Sequence, residues 1–385
     1  MKLLRIILFI SAILSFTQGA YAQTLDTLVD VGGYRLHFII TKGQGVPIVF
    51  EAGGGDDARV WQELLQPLAT ITGAPLITYD RAGFGKSETN TRELNDAKHG
   101  VLEGVMALET GLKKLGYGKQ LMLVAHSYGG FYSTLYAARN PAAVKSVVLL
   151  DAMTACYTTD EFLAGMMRDM QADIAKNKTE HRGRYYQTSN YPATVALLRK
   201  TPFPATIPVI DLVAEQPFSP IAADAARWKA CHQQFVAAQP NREGITAYGS
   251  GHYIFADNPA LVVSAIAQGY TRIPGQEKNL GLLQRSQRYA VAATNDLKKR
   301  EITYRHSESD LNSWGYTLLR QGNQQQALEV FKLNTTLHPE SGNAFDSLAE
   351  AYLVSGNKQL AATNYKKSLE LNPQNTNAAE MLKKL

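Results

Sequence analysis

A serine lies between an apolar run and a helix-like stretch in Val124-Ala125-His126-Ser127-Tyr128-Gly129-Gly130. A sharp strand-to-helix turn forces the serine backbone into a strained conformation, and only small residues two positions before and after it avoid a clash. Ala125 and Gly129 occupy those positions, with alanine where the Gly-x-Ser-x-Gly pattern has its first glycine. Ser127 is therefore the candidate nucleophile, with its hydroxyl exposed for attack on a carbonyl carbon.

A histidine in a glycine-rich loop is the candidate general base. The segment Tyr248-Gly249-Ser250-Gly251-His252-Tyr253 precedes an apolar helical stretch near the end of the first half of the chain. A histidine on a loop after the last strand of a sheet can reach back over the serine and accept its proton. Among the eight histidines, His252 alone has this setting. His126 adjoins Ser127 on the same turn and cannot readily swing round to deprotonate it.

Acyl transfer also needs donors for the negative charge that develops on the carbonyl oxygen. The backbone N–H of Tyr128, which directly follows the nucleophile, can supply one. The glycine cluster Glu51-Ala52-Gly53-Gly54-Gly55 follows an apolar run and can supply the other. We expect Gly54 and Tyr128 to form the oxyanion hole.

The acid that would orient His252 has several candidates. Asp151 ends an apolar run next to the predicted nucleophile strand, where strand ends carry active sites in such sheets, and it is preferred. Glu215 follows the next predicted strand, in a loop restricted by two prolines. Asp224 falls in the first turn of a predicted helix, where acids are also favoured by the helix dipole. Asp211 lies inside its strand and is the weakest candidate.

Alternating strand-like and helix-like segments across residues 24–270 must position these side chains. Helical stretches are expected at about 58–71, 101–115, 129–139 and 221–238. The strand-like runs are Leu28–Val31, Tyr34–Thr41, Pro47–Glu51, Leu76–Asp80, Leu121–Ala125, Val147–Asp151 and Val209–Ala214. This alternation predicts a mostly parallel sheet covered by helices. Residues 154–206 interrupt it with amphipathic stretches and are expected to form a helical lid.

The segment Asp80-Arg81-Ala82-Gly83-Phe84-Gly85-Lys86-Ser87 resembles the Asp-x-x-Gly-x-Gly-x-Ser turn that follows strand four in α/β hydrolases, where it is structural. With Ser127, His252 and the glycine cluster, residues 23–272 resemble the α/β-hydrolase family over their full length. The resemblance implies a serine hydrolase, esterase- or peptidase-like, with a Ser–His–acid triad and a lid. It implies no cofactor and no metal. An aspartate in place of Ser127 would have indicated dehalogenase or epoxide-hydrolase chemistry.

The substrate implied is a small ester or a peptide-like molecule, and its identity stays open because the fold serves many reactions. The lid residues Phe162, Met166 and Met167, with Tyr128 and Trp228, favour an apolar or aromatic acyl group.

One alternative is a dinucleotide-dependent oxidoreductase. Gly53-x-Gly55-x-x-Ala58 fits a dinucleotide-binding fingerprint, and Asp80 ends the next strand where a ribose-binding acid is expected. Asp56 and Asp57 would oppose a pyrophosphate at the helix N-terminus. This alternative also leaves Ser127 and His252 unexplained.

Residues 308–385 have a different periodicity. A shift of 34 residues aligns Gly322 with Gly356 and five further small, aromatic, basic or apolar residues, and ends by aligning Pro339 with Pro373. This period and order resemble the tetratricopeptide repeat, a helix pair in each unit. Two repeats with a capping helix at 374–385 are expected, joined to the first domain by a helical linker at 273–307. Such repeats bind partner proteins or mediate self-association, and a non-catalytic sensor or scaffold built around them is a second alternative.

The first 22 residues have the pattern of a secretory signal peptide. Lys2 and Arg5 precede an apolar run too short to span a bilayer, and Ala20-Tyr21-Ala22 provides a cleavage site. We therefore expect an exported protein, periplasmic or secreted, with no stable membrane anchor. Cys156 and Cys231 could pair in that environment, but spacing alone leaves this open. The net charge of +5 is scattered, which argues against a nucleic-acid partner.

Overall fold

Eight strands form a single sheet in the computed structural model, which describes residues 23–216, 219, 221–247, 249–276, 281–282, 284–286, 308–320, 322 and 324–385. The predicted signal peptide at 1–22 and most of the predicted linker lie outside these residues. The strands are β1 (Thr24–Asp30), β2 (Arg35–Thr41), β3 (Ile48–Glu51), β4 (Leu76–Tyr79), β5 (Leu121–His126), β6 (Val144–Leu150), β7 (Val209–Ala214) and β8 (Arg242–Ala247).

The sheet has the order β1-β2-β4-β3-β5-β6-β7-β8. Strands β3 to β8 are parallel, whereas β2 pairs antiparallel with both β1 and β4. Central strands such as β5 are buried at every position, because helices cover both faces of a parallel sheet. The predicted mostly parallel sheet is confirmed.

Strand β8 is not apparent from the sequence. Its residues, Arg242–Ala247, include two charged side chains and Gly244, and only Ala247 is fully buried. An edge strand such as β8 has only one neighbour and needs no continuous apolar run. Strand β1, at the other edge, begins four residues before the predicted Leu28 for the same reason.

Helices pack on both faces of this sheet. On one face, α2 and α3 bury apolar side chains such as Leu108 and Phe131 against the strands. On the other face, Leu68 of α1 and Val262 of α10 lie in a second core. The helices of this part of the chain are α1 (Gln62–Thr72), α2 (Val101–Lys114), α3 (Gly129–Arg139), α4 (Asp160–Asp169), α5 (Gln171–Glu180), α6 (Arg182–Ser189), α7 (Tyr191–Leu198), α8 (Ala222–Ala237), α9 (Ile254–Asp257) and α10 (Pro259–Thr271).

Four consecutive helices, α4 to α7, separate β6 from β7 within the segment expected to form a lid. Neither α4 nor α5 contains a fully buried residue, whereas α6 and α7 bury Tyr185, Tyr186, Tyr191 and Val195. The inner two helices are thus anchored to the body of the domain more firmly than the outer two.

Five further helices form successive hairpins in the described residues after 307. They are α11 (Glu308–Arg320), α12 (Gln324–Leu337), α13 (Gly342–Val354), α14 (Lys358–Leu371) and α15 (Thr376–Lys384). The bounds of α13 and α14 repeat those of α11 and α12 after the same 34-residue shift found in the sequence. Phe331 and Tyr365, which the shift aligns, are both fully buried. The repeated sequence therefore corresponds to a repeated helix pair.

Described residues of the segment 273–307 contact the first domain. Leu282 is buried in the core that contains α1 and α10, and Arg285 Nε donates to the carbonyl oxygen of Ile71 at 2.8 Å. None of the helices in the described ranges is both long enough and apolar enough to cross a bilayer.

Cys156 and Cys231 form a disulfide, with their Cα atoms 5.8 Å apart. It joins the chain leaving β6 to helix α8 and closes a loop that contains the lid helices. The pairing that spacing leaves open is thus made across 75 residues of sequence.

Removing this crosslink should lower the free energy of unfolding by about 4 kcal/mol, because a loop of this length restricts the unfolded chain substantially. Urea unfolding of the oxidised and dithiothreitol-reduced protein measures the difference. The Cys156→Ala/Cys231→Ala variant is the control and should respond little to reductant. Equal stability of the oxidised and reduced protein would contradict the prediction.

Candidate active site

Ser127 lies at the sharp turn between β5 and α3, with a positive φ of 48°. Its backbone N–H donates to the carbonyl oxygen of Leu150 at 3.3 Å, which ties the turn to the neighbouring strand β6. A Cβ on Gly129 would lie 2.5 Å from the backbone oxygen of Glu51. The turn therefore needs glycine at this position because α3 begins in direct contact with the end of β3.

His252 lies on the loop that follows β8, and its Nε2 is 2.9 Å from Ser127 Oγ. Side-chain hydrogen bonds help to hold this loop. Glu215 accepts from Gly249 N at 2.8 Å, Asp257 accepts from Gly251 N at 2.7 Å, and His126 Nε2 lies 2.9 Å from the carbonyl oxygen of His252. The imidazole is thus positioned to accept the hydroxyl proton of Ser127.

Asp151 directly follows β6, and its Oδ2 is 2.7 Å from Nδ1 of His252. The other carboxylate oxygen, Oδ1, accepts from Trp228 Nε1 at 2.7 Å and from Ala214 N at 3.0 Å. The residue is completely buried and has a positive φ of 43°. These contacts hold both carboxylate oxygens and orient the imidazole of His252 with Nδ1 toward Asp151.

The other candidate acids lie elsewhere. Glu215 binds the Gly249 amide and so supports the histidine loop from below. Asp224 lies in the first turn of α8 and pairs with Arg227 at 2.6 Å. Asp211 is buried inside β7 and contacts His232 at 2.7 Å. Of the candidates, only Asp151 has a hydrogen bond to His252 among the described residues.

The Gly54 and Tyr128 amides border the same cavity as Ser127 and His252. Within the described residues, neither N–H donates to a protein acceptor, so both are available to a developing oxyanion. Gln187 of the lid helix α6 reaches this turn, where its Oε1 accepts from Gly55 N at 3.3 Å. A Cβ on Gly54 would lie 2.7 Å from Gln187 Nε2, so the lid and the glycine turn are in close contact.

A buried arginine supports the glycine turn from behind. The Arg81 guanidinium donates to the carbonyl oxygens of Ala52 and Gly53, which holds the backbone at the start of the turn. Glu51 lies 3.6 Å from Arg81 Nε and accepts a hydrogen bond from Tyr79 at 2.7 Å. Burial raises the pKa of the Glu51 carboxyl to about 7. Sequence motifs give no indication of this cluster beyond the Asp-x-x-Gly-x-Gly-x-Ser turn that contains Arg81.

The cavity at Ser127 has a volume of about 200 Å³. Methionines and tyrosines from the body and the lid make up half of the residues that line it. The lining residues are Gly54, Ser127, Tyr128, Met153, Met166, Met170, Gln187, Thr188, Tyr191 and His252. Of the residues expected to form an apolar pocket, Tyr128 and Met166 line it. Phe162 instead packs on Tyr157, and Trp228 contacts Asp151.

His126 is buried beneath the histidine loop. Burial, together with the neighbouring His252, lowers the pKa of His126 to about 3. It is therefore neutral near pH 7 and can use Nε2–H as the donor to the carbonyl oxygen of His252. His126 thus supports the loop that carries His252, a role that the sequence does not indicate. It makes no hydrogen bond with Ser127 Oγ among those of the described residues.

Asp80, the expected ribose ligand of the oxidoreductase alternative, is fully engaged by the protein. It accepts from Ala58 N, Lys86 N and His37 Nδ1, each at 2.8 Å. A Cβ on Gly85 would collide with this carboxylate, which explains the glycine in the motif. Asp80 thus holds the turn after β4 and is not free to bind a ribose. The described ranges contain no group of three or more His, Cys, Asp or Glu side chains that could hold a metal ion.

Residues 46–265 match the family model described as alpha/beta hydrolase fold. The uncharacterized protein YqjL of Bacillus subtilis (strain 168) is 29% identical over 253 residues, which span 63% of this chain and 90% of YqjL. The (lyso)-N-acylphosphatidylethanolamine lipase of Bos taurus is 32% identical over 105 residues. That match spans 27% of this chain and 30% of the lipase.

Solved structures share the fold. The epoxide hydrolase VrEH1 of Vigna radiata has a TM-score of 0.52 at 15% identity, over 66% of this chain and all of its own. A laboratory evolved variant of the potato epoxide hydrolase StEH1 has a TM-score of 0.52 at 15% identity, over 65% of this chain and 100% of its own. At these identities the likeness extends to the fold alone.

The buried neutral His126 should make the fold sensitive to acid. Because its pKa is lowered to about 3, the unfolded chain binds a proton between about pH 6.5 and 3 that the folded protein does not. Stability should therefore fall with decreasing pH over this window, by roughly 1.4 kcal/mol per pH unit from this group.

The variant His126→Gln keeps an N–H donor but does not titrate. Urea unfolding from pH 7.5 to 4 should show a shallower loss of stability in this variant than in the wild type. Parallel pH profiles for the two proteins would contradict the assignment.

Proposed function

The chain belongs to the α/β hydrolase fold family and is a hydrolase, and on that premise we propose that it is a serine hydrolase. The reaction proposed is cleavage of a small neutral ester or related acyl bond, through a Ser127–His252–Asp151 triad. The observation that supports this is the continuous hydrogen-bonded line from Ser127 Oγ to His252, at 2.9 Å, and from His252 to Asp151, at 2.7 Å. These distances suit proton transfer from a nucleophile to an oriented base.

The proposed reaction has two halves. His252 Nε2 accepts the proton of Ser127 as Oγ attacks the carbonyl carbon, and the amides of Gly54 and Tyr128 donate to the oxygen that becomes negative. Collapse of the tetrahedral intermediate expels the leaving group, which takes the proton from His252. Water, deprotonated by His252, then attacks the acyl-enzyme. Ser127 Oγ leaves with the proton from His252, and the acid product is released. Asp151 stabilises the imidazolium in both halves.

The cavity wall supports an apolar acyl group as the substrate moiety. Met153, Met166 and Met170 contribute flexible thioether side chains, and Tyr128 and Tyr191 contribute aromatic ones. The described lining residues include no aspartate, glutamate, lysine or arginine. A neutral acyl chain would therefore be bound with less desolvation cost than a charged one.

We also propose that the protein acts outside the cytoplasm and that its C-terminal helices are tetratricopeptide repeats. The signal-peptide pattern at residues 1–22 and the Cys156–Cys231 disulfide support export. The 34-residue recurrence of the helix bounds supports the repeats. Their proposed role is to bind a protein partner or a second copy of the chain.

Fluorophosphonate labelling and hydrolysis of p-nitrophenyl butyrate test the proposed function. Ser127→Ala should abolish labelling, and His252→Ala and Asp151→Asn should each lower kcat by about 10⁴-fold, because each removes one part of a unit that acts together. Asp224→Asn is the matched control for the acid and should retain activity.

Equal labelling of the wild type and Ser127→Ala would contradict the assignment of the nucleophile. A wild-type protein that takes no label and hydrolyses no ester would instead favour the non-catalytic sensor or scaffold.

Light scattering tests self-association. If the repeats join two chains, the mass should rise from one chain toward two as the protein concentration increases over the micromolar range. A mass of one chain at every concentration would restrict the repeats to binding another protein.

A further inference from the structure

Trp228 contacts the proposed catalytic acid, and the proposed reaction gives it no role. Its indole Nε1–H donates to Asp151 Oδ1 at 2.7 Å, on the side of the carboxylate opposite His252. The indole ring also lies edge-on to the imidazole of His252, with centroids 6.2 Å apart. Trp228 is 1% exposed, so water does not compete for the hydrogen bond.

A buried carboxylate that contacts an imidazole can rotate or accept a proton unless other donors hold it. Ala214 N supplies one such donor at 3.0 Å, from the end of β7. Trp228 supplies the second donor to Oδ1, and this donor belongs to a side chain. Without it, Oδ1 would keep a single backbone donor, and the plane of the carboxylate would be fixed less firmly against His252.

The helix that carries Trp228 is anchored on the same face at two further points. Cys231, one turn later, is bonded to Cys156, five residues after Asp151. His232 Nδ1 lies 2.7 Å from Asp211 Oδ2 inside β7. The disulfide and the His232–Asp211 pair thus connect α8 to the segment that follows Asp151 and to strand β7, which fixes the position of the indole.

We propose that Trp228 is a positioning residue for the triad, one that fixes the Asp151 carboxylate so that it orients His252. This inference rests on the proposed function, and it assigns a specific task to a residue that the sequence suggests only as part of an apolar pocket. The indole N–H of Trp228 holds the carboxylate of Asp151 in place by a hydrogen bond.

Trp61 offers a matched control. It is 0% exposed and packs on Phe50 and Phe255, with ring centroids 5.3 and 4.9 Å away. Its Nε1 has no hydrogen-bond partner among the described residues. Replacing either tryptophan by phenylalanine removes a similar buried volume, but only at Trp228 does the change remove a donor from Asp151.

Trp228→Phe should lower kcat for p-nitrophenyl butyrate by about 10- to 100-fold with little change in KM, because the lost hydrogen bond is to a charged group. Trp61→Phe should stay within about twofold of the wild type. Both variants are assayed well below their unfolding temperatures, which circular dichroism provides. A loss of kcat that is the same in the two variants would overturn the proposal.

The Asp151→Asn background distinguishes positioning from packing. If Trp228 acts through the carboxylate, adding Trp228→Phe to Asp151→Asn should change the residual kcat by less than about twofold. The same fold-loss in both backgrounds would mean that Trp228 acts independently of Asp151 and would overturn the proposal.

A proton resonance gives a readout that does not depend on turnover. The His252 Nδ1 proton, shared with Asp151, should appear far downfield in the ¹H NMR spectrum, shift in Trp228→Phe and stay unchanged in Trp61→Phe. A resonance unchanged in both variants would overturn the proposal. If the wild type neither labels nor hydrolyses an ester, the proposed function fails, while this resonance still decides whether Trp228 positions the acid.

Discussion

The buried carboxyl group of Asp151 is the constraint on which the rest of the site depends. A carboxylate completely removed from water is costly unless hydrogen-bond donors surround it. Here the donors come from three separate elements: the loop after β8, the end of β7 and helix α8. Each element must therefore approach the end of β6 closely. The parallel order β5-β6-β7-β8 brings these strand ends to one edge of the sheet, which lets a single side chain satisfy all three contacts.

Close approach of backbone segments explains the small residues of the site better than flexibility does. Gly129 lies against the end of β3, and a Cβ on Gly130 would lie 2.6 Å from the carbonyl oxygen of Met153. The glycine turn near Gly54 is similarly enclosed, by Gln187 in front and by the Arg81 guanidinium behind. The glycine turn is thus held by one side chain of the lid and one side chain of the body of the domain. A lid residue that touches this turn also connects the position of the lid to the shape of the proposed oxyanion hole.

Local sequence predicts part of this arrangement well. Ser127 and His252 each lie in a short segment whose residue types indicate the site. The tight turn at Ser127 requires small residues two positions away, and a glycine-rich loop marks the end of the strand before His252. The choice of Asp151 over Glu215 depends on which strand ends lie side by side, and that is a long-range property. Trp228 lies 77 residues from its acceptor, and no local pattern marks an indole that binds a carboxylate. The edge strand β8 escapes prediction because one-sided burial leaves little hydrophobic signal.

The backbone at the two key strand ends has an energetic consequence. In the described residues, Ser127 and Asp151 are the two non-glycine residues with positive φ, at 48° and 43°. Such a conformation costs on the order of 1–2 kcal/mol at each position, and glycine would relieve it. Selection for thermal stability alone would thus favour glycine at both positions, whereas selection for catalytic activity would oppose it. The proposed nucleophile and the proposed acid are thus positions where the chain gives up stability for reactivity, so the rest of the fold must supply the stability that these two positions lose.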